Sequence, residues 1–255
     1  MLALEMVAVS DRGRVRPGNE DCAAVHPEIG LAVLADGMGG HNAGEVASGM
    51  AVSLIGEGML LDIDPDMTLT PERARGLIAA QVSLANAQIH AAGAARRDRT
   101  GMGTTVVVSL WHEGAVSVGH VGDSRFYRRR GNDLAQLTRD HTVVQEQVDR
   151  GYLSPAEAKQ APGRNILTRA LGTDAHVDAD PDTFDTAPGD VYLLCSDGLT
   201  EMLADVEIGG VLAAFGASLD AAAGELVRRA NENGGVDNIS VILVRVGAAG
   251  ERQPG

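Results

Sequence analysis

The feature that most constrains the fold is a series of short apolar runs, each of which stops at Gly, Asp or Asn. Runs of this length bounded in this way are typical of β-strands buried in a sheet. Turn sequences at residues 111–114 and 130–133 predict two β-hairpins. The predicted strands are residues 31–35, 104–110, 115–120, 191–195 and 239–246.

Longer segments show the three- and four-residue spacing of apolar positions that is typical of amphipathic helices. Residues 71–97 have this spacing, and Thr70 followed by Pro71 is a typical helix start. A second predicted helix opens at Asn42 and ends near residue 61, and a third has its apolar face over residues 219–230. Strands in hairpin-like runs with two groups of helices predict an antiparallel α+β fold with helices packed outside the sheets.

Length and charge narrow the class of protein. The chain has 255 residues and a net charge of −14, which predicts one domain over residues 1–246 and a short flexible tail over 247–255. The negative charge argues against nucleic acid as a partner. The sequence has no run of about 20 apolar residues, and the start does not resemble a signal peptide, so we expect a cytoplasmic protein without a membrane span. Cys22 and Cys195 are expected to be small buried residues in a reducing compartment.

The first chemical signal is an apolar strand that ends in Asp36-Gly37. A carboxylate at a strand end is held by the sheet and points out of it, which suits a hard cation. An ordinary Asp-Gly turn is the simpler explanation of a single such unit. The strand over 191–195 ends in the same way, at Asp197-Gly198, and this second copy favours a shared function.

Three further acidic residues lie at predicted strand edges: Glu20, Asp123 and Asp237. Carboxylates that share one pocket repel each other, and cations relieve that repulsion. Oxygen ligands favour Mg²⁺ or Mn²⁺ over zinc, and two such ions can activate a water and hold a phosphoryl group. Arg16 is then the natural guanidinium for phosphate oxygens.

Six motifs in sequence order make this pattern specific, and together they resemble the PP2C family of metal-dependent protein phosphatases, most closely its bacterial branch. The resemblance extends over residues 5–246. The motifs are Arg16 with Asn19-Glu20-Asp21, Asp36-Gly37-Met38-Gly39-Gly40, Gly101-Met102-Gly103-Thr104-Thr105, Val121-Gly122-Asp123-Ser124-Arg125, Ser196-Asp197-Gly198-Leu199 and Asp237-Asn238-Ile239-Ser240.

The resemblance implies a β-sandwich of two antiparallel sheets flanked by α-helices on both sides. It also implies two Mn²⁺ or Mg²⁺ ions and a water that attacks phosphoserine or phosphothreonine directly. Carried over by position, Asp36 bridges both ions, Gly37 offers its backbone carbonyl, and Asp197 and Asp237 bind one ion.

The remaining positions carry over as supporting groups. Glu20 supports the other ion, often through water, Arg16 binds the phosphate, and Asp123 takes part in a weaker third metal site. Animal members of the family have His after the Asp-Gly, where it is discussed as a general acid, whereas this chain has Met38. His41 is an alternative proton donor, with a capping or surface role as the competing interpretation.

Residues 140–172 resemble the family's flap beside the active site, which can influence substrate choice; a plain helical connector is the alternative.

The function expected from these patterns is hydrolysis of phosphoserine and phosphothreonine in proteins, reversing a bacterial Ser/Thr kinase. A non-catalytic module that binds phosphoproteins and a phosphatase of small molecules are the alternatives. Cysteine-dependent phosphatases are excluded, because neither cysteine is followed by Arg six positions later.

Overall fold

Two antiparallel sheets pack face to face in the computed structural model, which describes residues 3–39, 43–64 and 67–247. The first sheet contains, in spatial order, β1 (Leu4–Asp11), β11 (Ile239–Val246), β10 (Val191–Cys195), β7 (Arg125–Arg130) and β8 (Asp133–Gln136). The second contains β2 (Asp21–His26), β3 (Leu31–Met38), β5 (Val106–His112), β6 (Ala115–Val121) and β9 (Asp182–Asp185), with the short strand β4 (Gly103–Thr104) paired to β3.

Helices cover the outer face of each sheet. The helices α1 (Ala43–Asp62) and α2 (Pro71–Ala95) pack on the second sheet, and α6 (Asp205–Ala214) and α7 (Leu219–Glu232) pack on the first. Three shorter helices, α3 (Val143–Asp149), α4 (Pro155–Ala158) and α5 (Asp197–Thr200), lie in the connections. The predicted α+β sandwich with helices on both sides is therefore confirmed.

Alternating side chains of the central strands explain why the sequence shows continuous apolar runs. Leu31, Val33 and Ala35 of β3 pack against the helices, whereas Ala32 and Leu34 point into the layer between the sheets. Both faces of the strand are buried, so every position is apolar. The inter-sheet layer also holds Trp111, Phe126 and Tyr192, whose rings lie 5.4–6.2 Å apart.

Most predicted elements are present, with small differences at their ends. The strands at 191–195 and 239–246 have the predicted bounds, and β3 continues beyond 35 to Met38. The predicted strand 104–110 divides at Thr105, because Thr105 bonds to the backbone of Asp36 where β4 joins β5. Both predicted hairpins form, between β5 and β6 and between β7 and β8.

The helix starts follow local capping chemistry. Thr70 accepts a hydrogen bond from the backbone N–H of Arg73, as the sequence predicts, and α2 ends at Ala95 because Arg96 is extended. The helix predicted to open at Asn42 is described from Ala43, and Asn42 lies outside the described residues.

One expectation about the cysteines is wrong. Cys195 is fully buried, but Cys22 is only partly buried, because β2 is an edge strand. Gly247, at the start of the predicted tail, donates a hydrogen bond to the carbonyl of Ala3, and the rest of the tail lies outside the described residues. Among the helices of the described residues, none is long and apolar enough to span a membrane.

Candidate active site

The site is built at the end of the sandwich where β3 stops, and Asp36 is held there by its backbone. Its N–H donates to the Thr105 hydroxyl at 3.1 Å, and its carbonyl accepts from both the Thr104 hydroxyl and the Thr105 N–H at 2.8 Å. In the ladder between β2 and β3, Asp21 lies directly opposite Asp36. Strand pairing therefore brings two carboxylate residues to the same level of the sheet.

Two glycines allow the backbone and the carboxylate of Glu20 to lie close to β3 and α1. A Cβ on Gly37 would lie 2.2 Å from the carbonyl oxygen of Gly44 and 2.6 Å from that of Glu20. A Cβ on Gly44 would lie 2.9 Å from the Glu20 carboxylate oxygen Oε2. Only glycine fits either position, so β2, β3 and the start of α1 approach closely at this point. Sequence patterns do not predict that position 44 must be glycine, because this depends on a contact between distant segments.

The first sheet supplies Asp197 and Asp237 from neighbouring connections. Asp197 opens α5 directly after β10, and Asp237 lies just before β11. A Cβ on Gly198 would lie 2.0 Å from the Asn238 carbonyl oxygen, so the two connections pack tightly. The Ser196 hydroxyl donates to Asp21 Oδ2 at 2.8 Å, which ties this sheet to the second one.

Arg16 lies on the loop between β1 and β2 and contacts Asp237, with Nη2 2.6 Å from Oδ2. Asn238 fixes that loop at both ends. Its side-chain amide donates to the carbonyls of Arg12 and Gly18 and accepts from the N–H of Glu20, all within 2.9 Å. The loop carrying the predicted phosphate ligand is therefore locked to the connection that carries Asp237.

Asp123 joins the group from the connection between β6 and β7. Its neighbour Ser124 lies 2.7 Å from the Thr105 hydroxyl that also holds Asp36. Arg125 forms a partly buried ion pair with Asp140, at the start of the predicted flap. Burial raises the pKa of Asp123 to about 6, and the charge of Asp140 contributes to that shift.

Five aspartates thus share one electrostatic environment. Burial raises the pKa of Asp36 and Asp197 well above the usual aspartate value, and the other carboxylates raise it further. Burial also raises the pKa of Asp21 to about 6. Each of these shifts means that the ionised form is disfavoured, so several negative charges cannot coexist here without compensation.

The donors fit hard divalent cations. All are oxygen atoms, and one carboxylate oxygen each of Asp21 and Asp197 is buried without a hydrogen-bond partner. Such orphaned oxygens are what a cation satisfies. Among the residues that the structure describes, no three Asp, Glu, His or Cys side chains are grouped closely enough to enclose an ion.

The structure brings most of the predicted site residues together and adds new ones. Five of the seven predicted residues are linked by the contacts above, and Asp123 and Asp197 reach the group through their neighbours Ser124 and Ser196. Sequence reasoning gave no role to the connecting residues, which are Asp21, Gly44, Thr105, Ser196 and Asn238. His41 lies outside the described residues.

The predicted flap is attached to this site at three places. Leu171 pairs with Thr104 through two backbone hydrogen bonds, and the backbone of His141 donates to Gly122. On the other side, Arg164 and Asn165 both donate to the carboxylate of Glu201, at the end of α5. These contacts place the segment beside the carboxylates.

Replacing Asp197 by Asn should separate the electrostatic and metal-binding roles of the cluster. Because the amide carries no charge, we expect Asp197→Asn to raise the thermal unfolding midpoint in chelator, by roughly 2–4 °C for each kcal/mol of relieved repulsion. Mn²⁺ should raise the midpoint of the unsubstituted protein, and much less that of the variant. Asp178→Asn, at an exposed aspartate, is the matched control. An unchanged Mn²⁺ response in Asp197→Asn would contradict the assignment.

Two stacked histidines beside Gly122, the neighbour of Asp123, should make the free energy of unfolding depend on pH. The rings of His120 and His141 stack at 4.5 Å, and His141 Nδ1 accepts from the Gly122 N–H. Burial lowers the pKa of His141 to about 4, and the charge of His120 contributes. An unfolded histidine has a pKa near ~6.5, so between these values the unfolded chain binds a proton that the folded chain excludes. The contribution of His141 to the free energy of unfolding is therefore lost as pH falls from ~6.5 to about 4.

Urea unfolding at pH 7 and pH 5 tests the histidine prediction. His141→Asn should lose less stability between the two pH values than the unsubstituted protein, because the titrating group is gone. His176→Asn, at an exposed histidine, should behave like the unsubstituted protein. Equal pH dependence of the His141 variant and the unsubstituted protein would show that this ring is not kept neutral by the fold.

Comparison with known proteins agrees with the geometry. The family model described as protein phosphatase 2C matches residues 17–240. The serine/threonine phosphatase stp of Listeria welshimeri is 39% identical over 238 residues, which cover 92% of this chain and 93% of stp. The serine/threonine protein phosphatase PstP of Mycobacterium tuberculosis is 38% identical over 96% of this chain, but the match spans only 45% of PstP.

Solved structures show the same fold. The crystal structure of the Mycobacterium tuberculosis phosphatase PstP superposes with a TM-score of 0.88 at 36% identity, covering 97% of this chain and 100% of that one. The PstP catalytic domain in complex with two manganese ions superposes with a TM-score of 0.85 at 35% identity, with the same coverage. The family predicted from the motifs is therefore confirmed: this chain belongs to the bacterial protein phosphatase 2C family of protein serine/threonine phosphatases.

Proposed function

We propose that this chain hydrolyses phosphoserine and phosphothreonine in proteins with two Mn²⁺ or Mg²⁺ ions, and that it reverses a bacterial Ser/Thr kinase in the cytoplasm. The observation that carries the proposal is the convergence of carboxylates from both sheets beside Arg16, whose guanidinium contacts Asp237. The two manganese ions in the PstP complex support the metal requirement. Residues 1–246 are the proposed catalytic unit, because both sheets contribute to the one site.

The proposed ligands follow from the position of each group. Asp36, at the end of β3, is influenced by the charges of carboxylates from both sheets and is the proposed bridge between the ions, with the Gly37 carbonyl beside it. Asp197 and Asp237 are proposed for one ion and Glu20 for the other. Bound divalent cations would activate a water and neutralise charge on the phosphoryl oxygens. Asp123, the neighbour of Ser124, is the proposed ligand of a weaker third ion.

Arg16 is the proposed phosphate ligand. Its guanidinium is half exposed, with 49% of the side chain accessible, and it pairs with a carboxylate of the site itself. A phosphoryl group that enters the site therefore competes with Asp237 for the same guanidinium. Because the loop is fixed by Asn238, the arginine is held near the cluster before substrate arrives, which limits the entropy lost on binding.

The direct test is phosphate release from a phosphothreonine peptide with Mn²⁺ and with chelator. We expect turnover only with the metal. Asp36→Ala should lower kcat by at least roughly a hundredfold, the loss typical of a group that stabilises the transition state, while circular dichroism stays unchanged. Arg16→Ala should mainly raise KM, and Asp178→Ala should retain activity.

The outcomes separate the proposal from its alternatives. Tight binding of the phosphopeptide without phosphate release in Mn²⁺ would indicate a non-catalytic binding module. Release from an aryl phosphate but not from phosphopeptides would indicate a phosphatase of small molecules. Full activity in chelator would rule out the metal-dependent mechanism.

A further inference from the structure

The loop between β1 and β2 concentrates positive charge beside the candidate active site. Residues 12–18, which we call the cationic loop, have the sequence RGRVRPG, with three arginines and no acidic residue. The whole chain has 35 acidic residues against 21 basic ones. A local excess of positive charge in so acidic a protein therefore needs a physical explanation beyond solubility.

The cationic loop is held against the site by its backbone. The Arg14 N–H donates to the Gly235 carbonyl at 2.7 Å, and Asn238 binds the carbonyls of Arg12 and Gly18. Gly13 has φ +80°, and a Cβ there would lie 2.2 Å from the Asp237 carbonyl oxygen. The loop thus rests on the connection that carries Asp237, and this backbone attachment does not use the side chains of Arg12 and Arg14.

Arg12 and Arg14 have no acidic partner, in contrast to Arg16. Both are exposed, and among the described residues neither forms an ion pair. Arg12 makes one long hydrogen bond, 3.4 Å, to the Pro17 carbonyl. Most other arginines are paired, including exposed ones such as Arg96, Arg150 and Arg228. Two unpaired arginines thus precede, on the same loop, the arginine proposed to bind phosphate.

We propose that the cationic loop binds acidic side chains that flank the phosphorylated residue of a protein substrate, with Arg12 and Arg14 as specificity-determining residues. This inference rests on the proposed function and adds a substrate class to it. Guanidinium groups pair with carboxylates through two parallel hydrogen bonds. A peptide whose phosphate lies on Arg16 places its neighbouring residues along the same loop.

Charge screening makes the loop decisive despite the negative charge of the whole protein. Exposed charges interact over about 8 Å at physiological ionic strength. A peptide bound at Arg16 therefore responds to the arginines of the cationic loop and to the carboxylates of the site rather than to distant acidic surfaces, and bound divalent cations would neutralise those carboxylates. A long polyanion such as nucleic acid meets the full negative charge instead and is disfavoured.

The test uses two phosphothreonine peptides of equal length that differ only at the flanking positions, which are Asp and Glu in one and Asn and Gln in the other. The measured quantity is the ratio of kcat/KM for the acidic peptide to that for the neutral one, in Mn²⁺ at low salt. We expect each exposed arginine that pairs with the acidic peptide to raise this ratio about two- to fivefold. It should approach one in 0.5 M NaCl, a concentration at which the screening length falls to about 4 Å.

Substitution assigns the preference to the loop. Arg12→Gln and Arg14→Gln should each lower the ratio, and the double variant should bring it close to one. The fold should persist, because the hydrogen bonds that lock the loop use the backbone of these two residues. Arg73→Gln is the matched control: Arg73 is an exposed, unpaired arginine on α2, and the change in net charge is the same.

The possible results are distinguishable. A ratio near one in the unsubstituted protein, a ratio that survives in the double variant, or an equal drop in Arg73→Gln would each overturn the role of the cationic loop. Failure to release phosphate from both peptides in Mn²⁺ would instead overturn the proposed function.

Discussion

Repulsion among buried aspartates at one end of the sandwich is the constraint on which the rest of this structure depends. Asp21, Asp36, Asp123, Asp197 and Asp237 lie within electrostatic range of one another, and burial raises the pKa of most of them. Such an arrangement opposes folding unless other parts of the chain stabilise it. Three apolar layers do so: one between the sheets and one beneath each pair of helices.

Short polar side chains join the parts that carry the aspartates. The Thr105 hydroxyl connects Asp36 to Ser124, the Ser196 hydroxyl connects the two sheets, and Asn238 connects the cationic loop to β11. Each of these three side chains is buried and hydrogen-bonded. Buried, satisfied polar networks fix a unique geometry, which is what a metal site and a phosphate ligand on separate segments require.

Sequence patterns predicted the central strands that are buried on both faces, but not β1, β2 and β9, whose side chains are only partly buried or exposed. The same patterns drew attention to the acidic residues at strand ends. Strand 191–195 is apolar at every position because both of its faces are buried, and Asp197 is conspicuous because it ends such a run. Asp21 and Asn238 were visible within motifs, but their roles depend on strand register and on contacts across more than two hundred residues. Gly44 gave no signal, because it is one of several glycines in α1 and its close contact with Glu20 exists only in the folded chain.

The proposed chemistry depends on two neighbouring metal ions held by the carboxylate cluster. The most direct measurement is electron paramagnetic resonance of the full chain titrated with Mn²⁺. We expect the spectrum of a magnetically coupled pair to appear at two equivalents, and Asp36→Asn to show only isolated ions, because the proposed bridge is lost. Isolated ions in the unsubstituted protein at every ratio, or an unchanged coupled spectrum in Asp36→Asn, would contradict it.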